Sequence, residues 1–137
     1  MQELMKERNV TVTDLKKYLS YSNESTIYKW LRKEVSPKVD KAVMIAEYFG
    51  CSLQYLAGMC DNYDEKKTYL PCPPFAQALR NILKEKKISQ YALIKNTCFN
   101  YGNIYSWFNL NSVPQLDTVI KLANFFDVTL DHLVGRE

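Results

Sequence analysis

The sequence predicts an all-α protein made of two tandem five-helix domains. Three observations carry that prediction. The first is a repeated phrase: Ile27, Tyr28, Trp30 and Pro37 recur as Ile104, Tyr105, Trp107 and Pro114, offset by 77 positions. Internal repetition at one fixed period is the signature of a structural unit written twice. The second is helical periodicity without strand alternation, since Val39, Ala42, Val43, Ala46 and Phe49 form one apolar face that Leu116, Val119, Ile120, Ala123 and Phe126 repeat. The third is the polar and then proline-rich stretch "DNYDEKKTYLPCPP", residues 61–74, which reads as a linker between a domain at 1–60 and another at 75–137.

The elements follow in order. "MQELMKERNVT" aligns with "LRNILKEKKIS" at an offset of 78, predicting first helices near 1–8 and 75–86. Thr11 and Asp14 have capping-box spacing, so a second helix is expected over 12–19; Ser89 opens its counterpart at 90–96. Asn23 and Asn100 are expected to cap third helices near 24–32 and 101–109. Fourth helices fall at 39–49, ended by Gly50, and at 116–126, ended by Asp127. Ser52 and Thr129 open fifth helices near 53–57 and 130–134. The offset changes from 78 to 77 between Leu15 and Ile27, so the first copy carries one extra residue, placed in the turn "SYSNES" between its second and third helices.

Composition narrows the function. An apolar share of 47% and a charged share of 24% belong to a folded globular chain rather than a disordered one. The net charge of +3 is too mild to identify a partner by itself. No signal peptide and no apolar stretch of bilayer length is visible, so the expectation is a cytoplasmic protein without membrane association. Cys51, Cys60, Cys72 and Cys98 have no metal-ligand spacing and read as reduced, small apolar residues. With His132 as the single histidine, read as a surface residue, neither a metal site nor a catalytic triad can be assembled. The expectation is no enzyme, no metal and no cofactor.

A short helix, a second helix opened by Ser-Gln, a tight turn, a third helix ending in Ile-x-x-Trp, then Pro and an amphipathic helix: this order resembles the lambda-repressor/Cro-like (XRE-type) helix-turn-helix family. "ISQYALIKNTCFNYGNIYSWFNLNSVPQLDTVIKLANFFDVTLDHLVG" carries the resemblance in the second copy, and "VTVTDLKKYLSYSNESTIYKWLRKEVSPKVDKAVMIAEYFGCSLQYLAG" in the first. It implies lambda-repressor-like domains, duplex DNA as partner and a transcriptional regulator, generally a repressor. In that reading the third helices are recognition helices, anchored by Ile and Trp while their polar face enters the major groove.

The resemblance implies DNA-binding positions in both copies. In the first they are Ser25, Thr26, Tyr28, Lys29, Arg32, Lys33 and Lys38; in the second, Ser89, Gln90, Tyr101, Gly102, Asn103, Tyr105, Ser106 and Asn109. The first set offers charged groups that position a phosphate backbone, the second neutral hydrogen-bonders that suit base edges. Lys95, Asn111 and Gln115 would supply the second copy's phosphate contacts.

Three departures from the family pattern stand out. Val12 replaces the family's Gln in the first copy, which also holds the extra turn residue. Leu31 and Phe108 replace an acidic residue after Trp, and bulky Tyr48 and Phe125 occupy a usually small position. These four are candidates for an interface, by self-association or as an intrachain pseudo-dimer, or for local packing. The rival expectation is a protein-interaction module, antitoxin-like or partner-binding, with one or both helix-turn-helix units degenerate.

Overall fold

The computed structural model describes residues 1–59 and 68–137. Cys60 and the first half of the expected linker, 61–67, lie outside the described residues. The chain divides into two compact units, Met1–Lys66 and Lys67–Glu137. Among the described residues there are ten helices and no strand.

In the first unit the helices are α1 (Gln2–Glu7), α2 (Val12–Leu19), α3 (Ser25–Leu31), α4 (Val39–Phe49) and α5 (Leu53–Leu56). Helix α2 begins at a closed capping box: the Asp14 N–H donates to Thr11 Oγ1 at 3.2 Å, and the Thr11 N–H donates to Asp14 Oδ2 at 2.9 Å. Helix α4 ends at left-handed Gly50, φ +66°, where a side chain would be strained. Helix α2 packs on α3 and α4, and α4 on α5. Leu15, Ile27, Ile45 and Leu53 are fully buried between them.

The Asp14 pair gives the first expected result. The Thr11 N–H and hydroxyl hold the Asp14 carboxyl below the usual range. A depressed carboxyl contributes stability that is complete above its unfolded pKa and lost as pH falls through its folded one. Asp14→Asn should therefore flatten the acid limb of the first unit's stability against pH, in denaturant midpoints taken from neutral to acid pH.

In the second unit the helices are α6 (Phe75–Lys86), α7 (Gln90–Asn96), α8 (Tyr101–Asn109), α9 (Leu116–Phe126) and α10 (Leu130–Val134). Ser89, Asn100 and Thr129 each accept a backbone N–H three residues on, from Ala92, Asn103 and His132, and so start α7, α8 and α10. Asp127 takes the left-handed place of Gly50 with φ +56°. Helix α6 packs on α8 and α10, around Leu79, Leu93, Ile104, Leu122 and Leu133.

The third helix of the first unit is shorter than expected. The sequence places its start near Glu24 under an Asn23 cap, and it runs from Ser25. Asn23 instead accepts from the Ser25 N–H at 3.1 Å and the Ser25 hydroxyl at 2.6 Å, a turn bond two residues long. At the other end Lys33 adopts φ +61° and stops the helix, leaving Arg32 as its cap. The extra residue also acquires a physical account. Tyr21 packs edge-on against Trp30 with centroids 5.9 Å apart, as Phe99 packs on Trp107 at 5.5 Å. These equivalent aromatics differ by 78 positions and the tryptophans by 77, so the insertion falls between Tyr21 and Trp30. The helices before it also stop differently: α2 closes on left-handed Ser20, φ +61°, whereas α7 runs into extended Thr97.

Residues 69–73 pack within the second unit. The Leu70 N–H donates to the Arg136 carbonyl at 2.8 Å, and the Arg136 guanidinium lies 4.2 Å from the Tyr69 ring centroid. Gly135 has φ +87°, and a Cβ there would come within 2.7 Å of Pro73 Cδ. At the centre is a fully buried ion pair, Arg136 Nη1 to Asp131 Oδ1 at 2.9 Å.

Candidate nucleic-acid interface

Helix α3 is seated by buried Ile27 and Trp30, and α8 by buried Ile104, Trp107 and Phe108. Those anchors leave the other face of each helix to solvent. On α3, Ser25, Thr26, Tyr28 and Lys29 are exposed, with Arg32, Lys33 and Lys38 exposed beyond its end. On α8, Tyr101, Gly102, Asn103, Tyr105 and Asn109 are exposed and Ser106 is half-buried. Ser89 and Gln90 are exposed at the start of α7, and Lys95, Asn111 and Gln115 are exposed as well.

The two faces differ in how their side chains are already engaged. In the second unit Ser106 Oγ donates to the Gly102 carbonyl at 2.9 Å and Asn109 Nδ2 to the Tyr105 carbonyl at 3.2 Å, each within its own helix. The Asn103 N–H donates to Asn100 Oδ1 at 2.7 Å, and its amide side chain is uncommitted among the described residues. Tyr101 and Tyr105 lie alongside each other at 6.0 Å. Gly102 is helical, and an added Cβ would meet nothing nearer than Asn100 Oδ1 at 3.4 Å, so packing within the unit does not demand glycine there.

In the first unit the charged residues are interleaved with acids. Thr13 Oγ1 donates to Glu24 Oε1 at 2.8 Å, bridging α2 to the start of α3. Arg32 is gripped by Glu34 through two contacts, Nε to Oε1 at 2.9 Å and Nη2 to Oε2 at 3.3 Å. The Arg32 hydrogen bond holds the Glu34 carboxyl below its usual range.

The four interface candidates fall into different surroundings. Tyr48 and Phe125 are each 37% exposed; Tyr48 packs on Tyr18 at 4.9 Å and Phe125 on Phe126 at 5.1 Å. Leu31 is half-buried, with its carbonyl accepting from Gln2 Nε2 at 3.4 Å. Phe108 departs from the exposed surface an interface requires. It is only 4% exposed, and Arg80 of α6 covers it, with the guanidinium 5.4 Å from the ring and Nη2 donating to its carbonyl at 2.9 Å.

Glu34 and Tyr91 also stand at these surfaces, though no motif marks them. Tyr91 follows Gln90 and is 72% exposed, an aromatic beside the expected reading face. The signal for Glu34 lay in the repeat, because it aligns with Asn111 just as Arg32 aligns with Asn109. His132 is partly exposed and pairs through Nε2 with Glu85 at 3.0 Å, tying α10 to α6. Among the described residues no three His, Cys, Asp or Glu side chains converge as metal ligands, and no helix is long and apolar enough to cross a membrane.

Comparison with known families agrees with this geometry in both halves. A family described as "Helix-turn-helix" matches residues 1–56, and one described as "Cro/C1-type HTH DNA-binding domain" matches residues 78–137. No curated protein and no solved structure matches the chain significantly. The two family matches, each over a unit with an Ile- and Trp-anchored third helix, make the chain a DNA-binding regulator that belongs to the helix-turn-helix family, with two tandem XRE-like domains.

Proposed function

We propose that the chain binds duplex DNA sequence-specifically as a small cytoplasmic transcriptional repressor, with α3 and α8 as its recognition helices. The observation that carries this reading is the shared seating of the two helices. Each is fixed to its unit by Ile and Trp, and each turns hydrogen-bonding side chains outward. The first unit supplies Lys29, Lys33 and Lys38 to phosphates, and Ser25, Thr26 and Tyr28 to the groove. The second supplies Asn103 as its principal base reader, since that amide is uncommitted, with Gln90 at the start of α7 and Lys95, Asn111 and Gln115 along the backbone.

A titration tests the electrostatic half of the proposal. Log K should fall linearly with log salt, with a slope of about −0.9 for each phosphate contacted. Asn103→Ala tests the reading half. A well-made amide–adenine pair discriminates by about 1–3 kcal/mol, so the variant should change the duplex sequence that is selected and leave the salt slope in place. If the selected sequence and affinity are both untouched, the second unit is not a reader.

One observation favours a second reading, a protein-binding surface on the second unit. Tyr91, Tyr101 and Tyr105 are all exposed, and no charged residue lies on α8. Under that reading the salt slope arises from the first unit alone, and Asn103→Ala leaves DNA selection unchanged.

A further inference from the structure

We infer that Arg32 reads a guanine edge and that Glu34 is the positioning residue that aims it. The inference rests on the DNA-binding reading above and sharpens it, because it moves Arg32 from the phosphate-contacting groups to the base-reading ones.

The chain path sets up the pair. Helix α3 stops at Leu31, Arg32 keeps a helical conformation at φ −81°, and Lys33 turns left-handed at φ +61°. That turn is closed by the Glu34 N–H donating to the Lys29 carbonyl at 3.0 Å, which brings the Glu34 side chain back beside Arg32. The carboxylate then spans Nε and Nη2, at 2.9 and 3.3 Å. Those two nitrogens form the side fork of the guanidinium. The end fork, Nη1 with the second N–H of Nη2, makes no bond among the described residues. Two parallel donors in that fork match the O6 and N7 acceptors of guanine in the major groove.

Charge decides between a base and a phosphate. A phosphate approaching the end fork meets a guanidinium already neutralised by an adjacent carboxylate, so attraction to Arg32 is offset by repulsion from Glu34. A guanine edge is neutral and offers only acceptors, so Glu34 does not oppose it. The carboxylate also restricts the guanidinium plane, which lowers the ordering cost of a two-bond contact. Both side chains are more than half exposed, 57% and 52%, so the pair adds little to stability. The repeat points the same way. At the matching positions of the second unit both partners are neutral amides, Asn109 and Asn111, so the charge and its counter-charge are present or absent together.

The test is selection from random duplexes with the full-length chain and with Arg32→Lys and Glu34→Gln, followed by salt titration on the selected site. Arg32→Lys keeps the charge and removes the fork. It should retain the salt slope and lose about tenfold discrimination for guanine at one position of the site. Glu34→Gln should lower discrimination severalfold at that same position. It should also strengthen binding to unrelated duplexes and steepen the slope by up to about 0.9, because Arg32 is then free to meet phosphate. The inference is overturned if Arg32→Lys selects the wild-type site with undiminished discrimination, for then charge alone matters and Arg32 contacts phosphate. It is overturned too if Glu34→Gln raises affinity for every duplex alike with base preference intact, which makes Glu34 a simple brake. A wild-type chain that selects no duplex defeats the DNA-binding reading itself, and this inference with it.

Discussion

Asp131→Ala should lower the stability of the second unit by about 3–5 kcal/mol, the usual cost of stranding one member of a buried ion pair. Arg136 is 1% exposed and Asp131 fully buried, so the guanidinium loses its counter-charge inside the unit. The guanidinium also lies over Tyr69, and its backbone carbonyl receives Leu70, so the loss spreads into the segment packed against α10. Urea unfolding followed by tryptophan fluorescence measures the effect, with Trp30→Phe as background so that Trp107 of the second unit is the sole reporter. The double variant Asp131→Leu/Arg136→Met should be much less damaging than Asp131→Ala, because it leaves no charge behind. A loss below about 1 kcal/mol for Asp131→Ala is what a solvent-exposed pair gives, and would mean that the pair is not buried in solution.

Trp107→Ala should cost a comparable amount, about 3–5 kcal/mol, from lost burial and the cavity left behind. Trp107 is buried beneath α8 with Phe99 edge-on at 5.5 Å and Phe75 at 6.2 Å, so its removal unseats α8. A unit of this size has only about 3–10 kcal/mol to lose. The expected result is therefore a second unit whose thermal transition by circular dichroism is shifted far down or abolished, with the first unit's transition retained. Trp107→Phe keeps an aromatic and should retain a cooperative transition. Equal stability of Trp107→Ala and wild type would contradict the packing described for α8.

The fold was largely legible because its signals are local. Capping side chains and left-handed stops sit within a few residues of the ends they define. Thr11, Ser89, Asn100, Ser52 and Thr129 carry the signal of helix starts, and Gly50 and Asp127 of stops, and each occupies that place. The failures came where a side chain had two local options or where tertiary contact decided. Asn23 can cap a helix or close a turn, and its Oδ1 accepts from the Ser25 N–H two residues on. Lys33 has no sequence signature for φ +61°, so the early end of α3 was hidden. At Phe108 an interface and local packing were both open in the sequence, because nothing local announces that Arg80, 28 residues earlier, covers the ring. The polar face was legible as residues, but their engagement was not. Periodicity places Asn103, Ser106 and Asn109 on one helix face, yet only geometry separates the uncommitted amide from two side chains bonded to their own helix.

The most direct measurement on the central proposal is selection of the full-length chain against a pool of random duplexes at low salt. The account predicts enrichment of one defined sequence, an affinity that falls linearly in log salt with a slope reflecting several phosphates, and a changed sequence preference for Asn103→Ala. Recovery of no preferred duplex at low salt would contradict it.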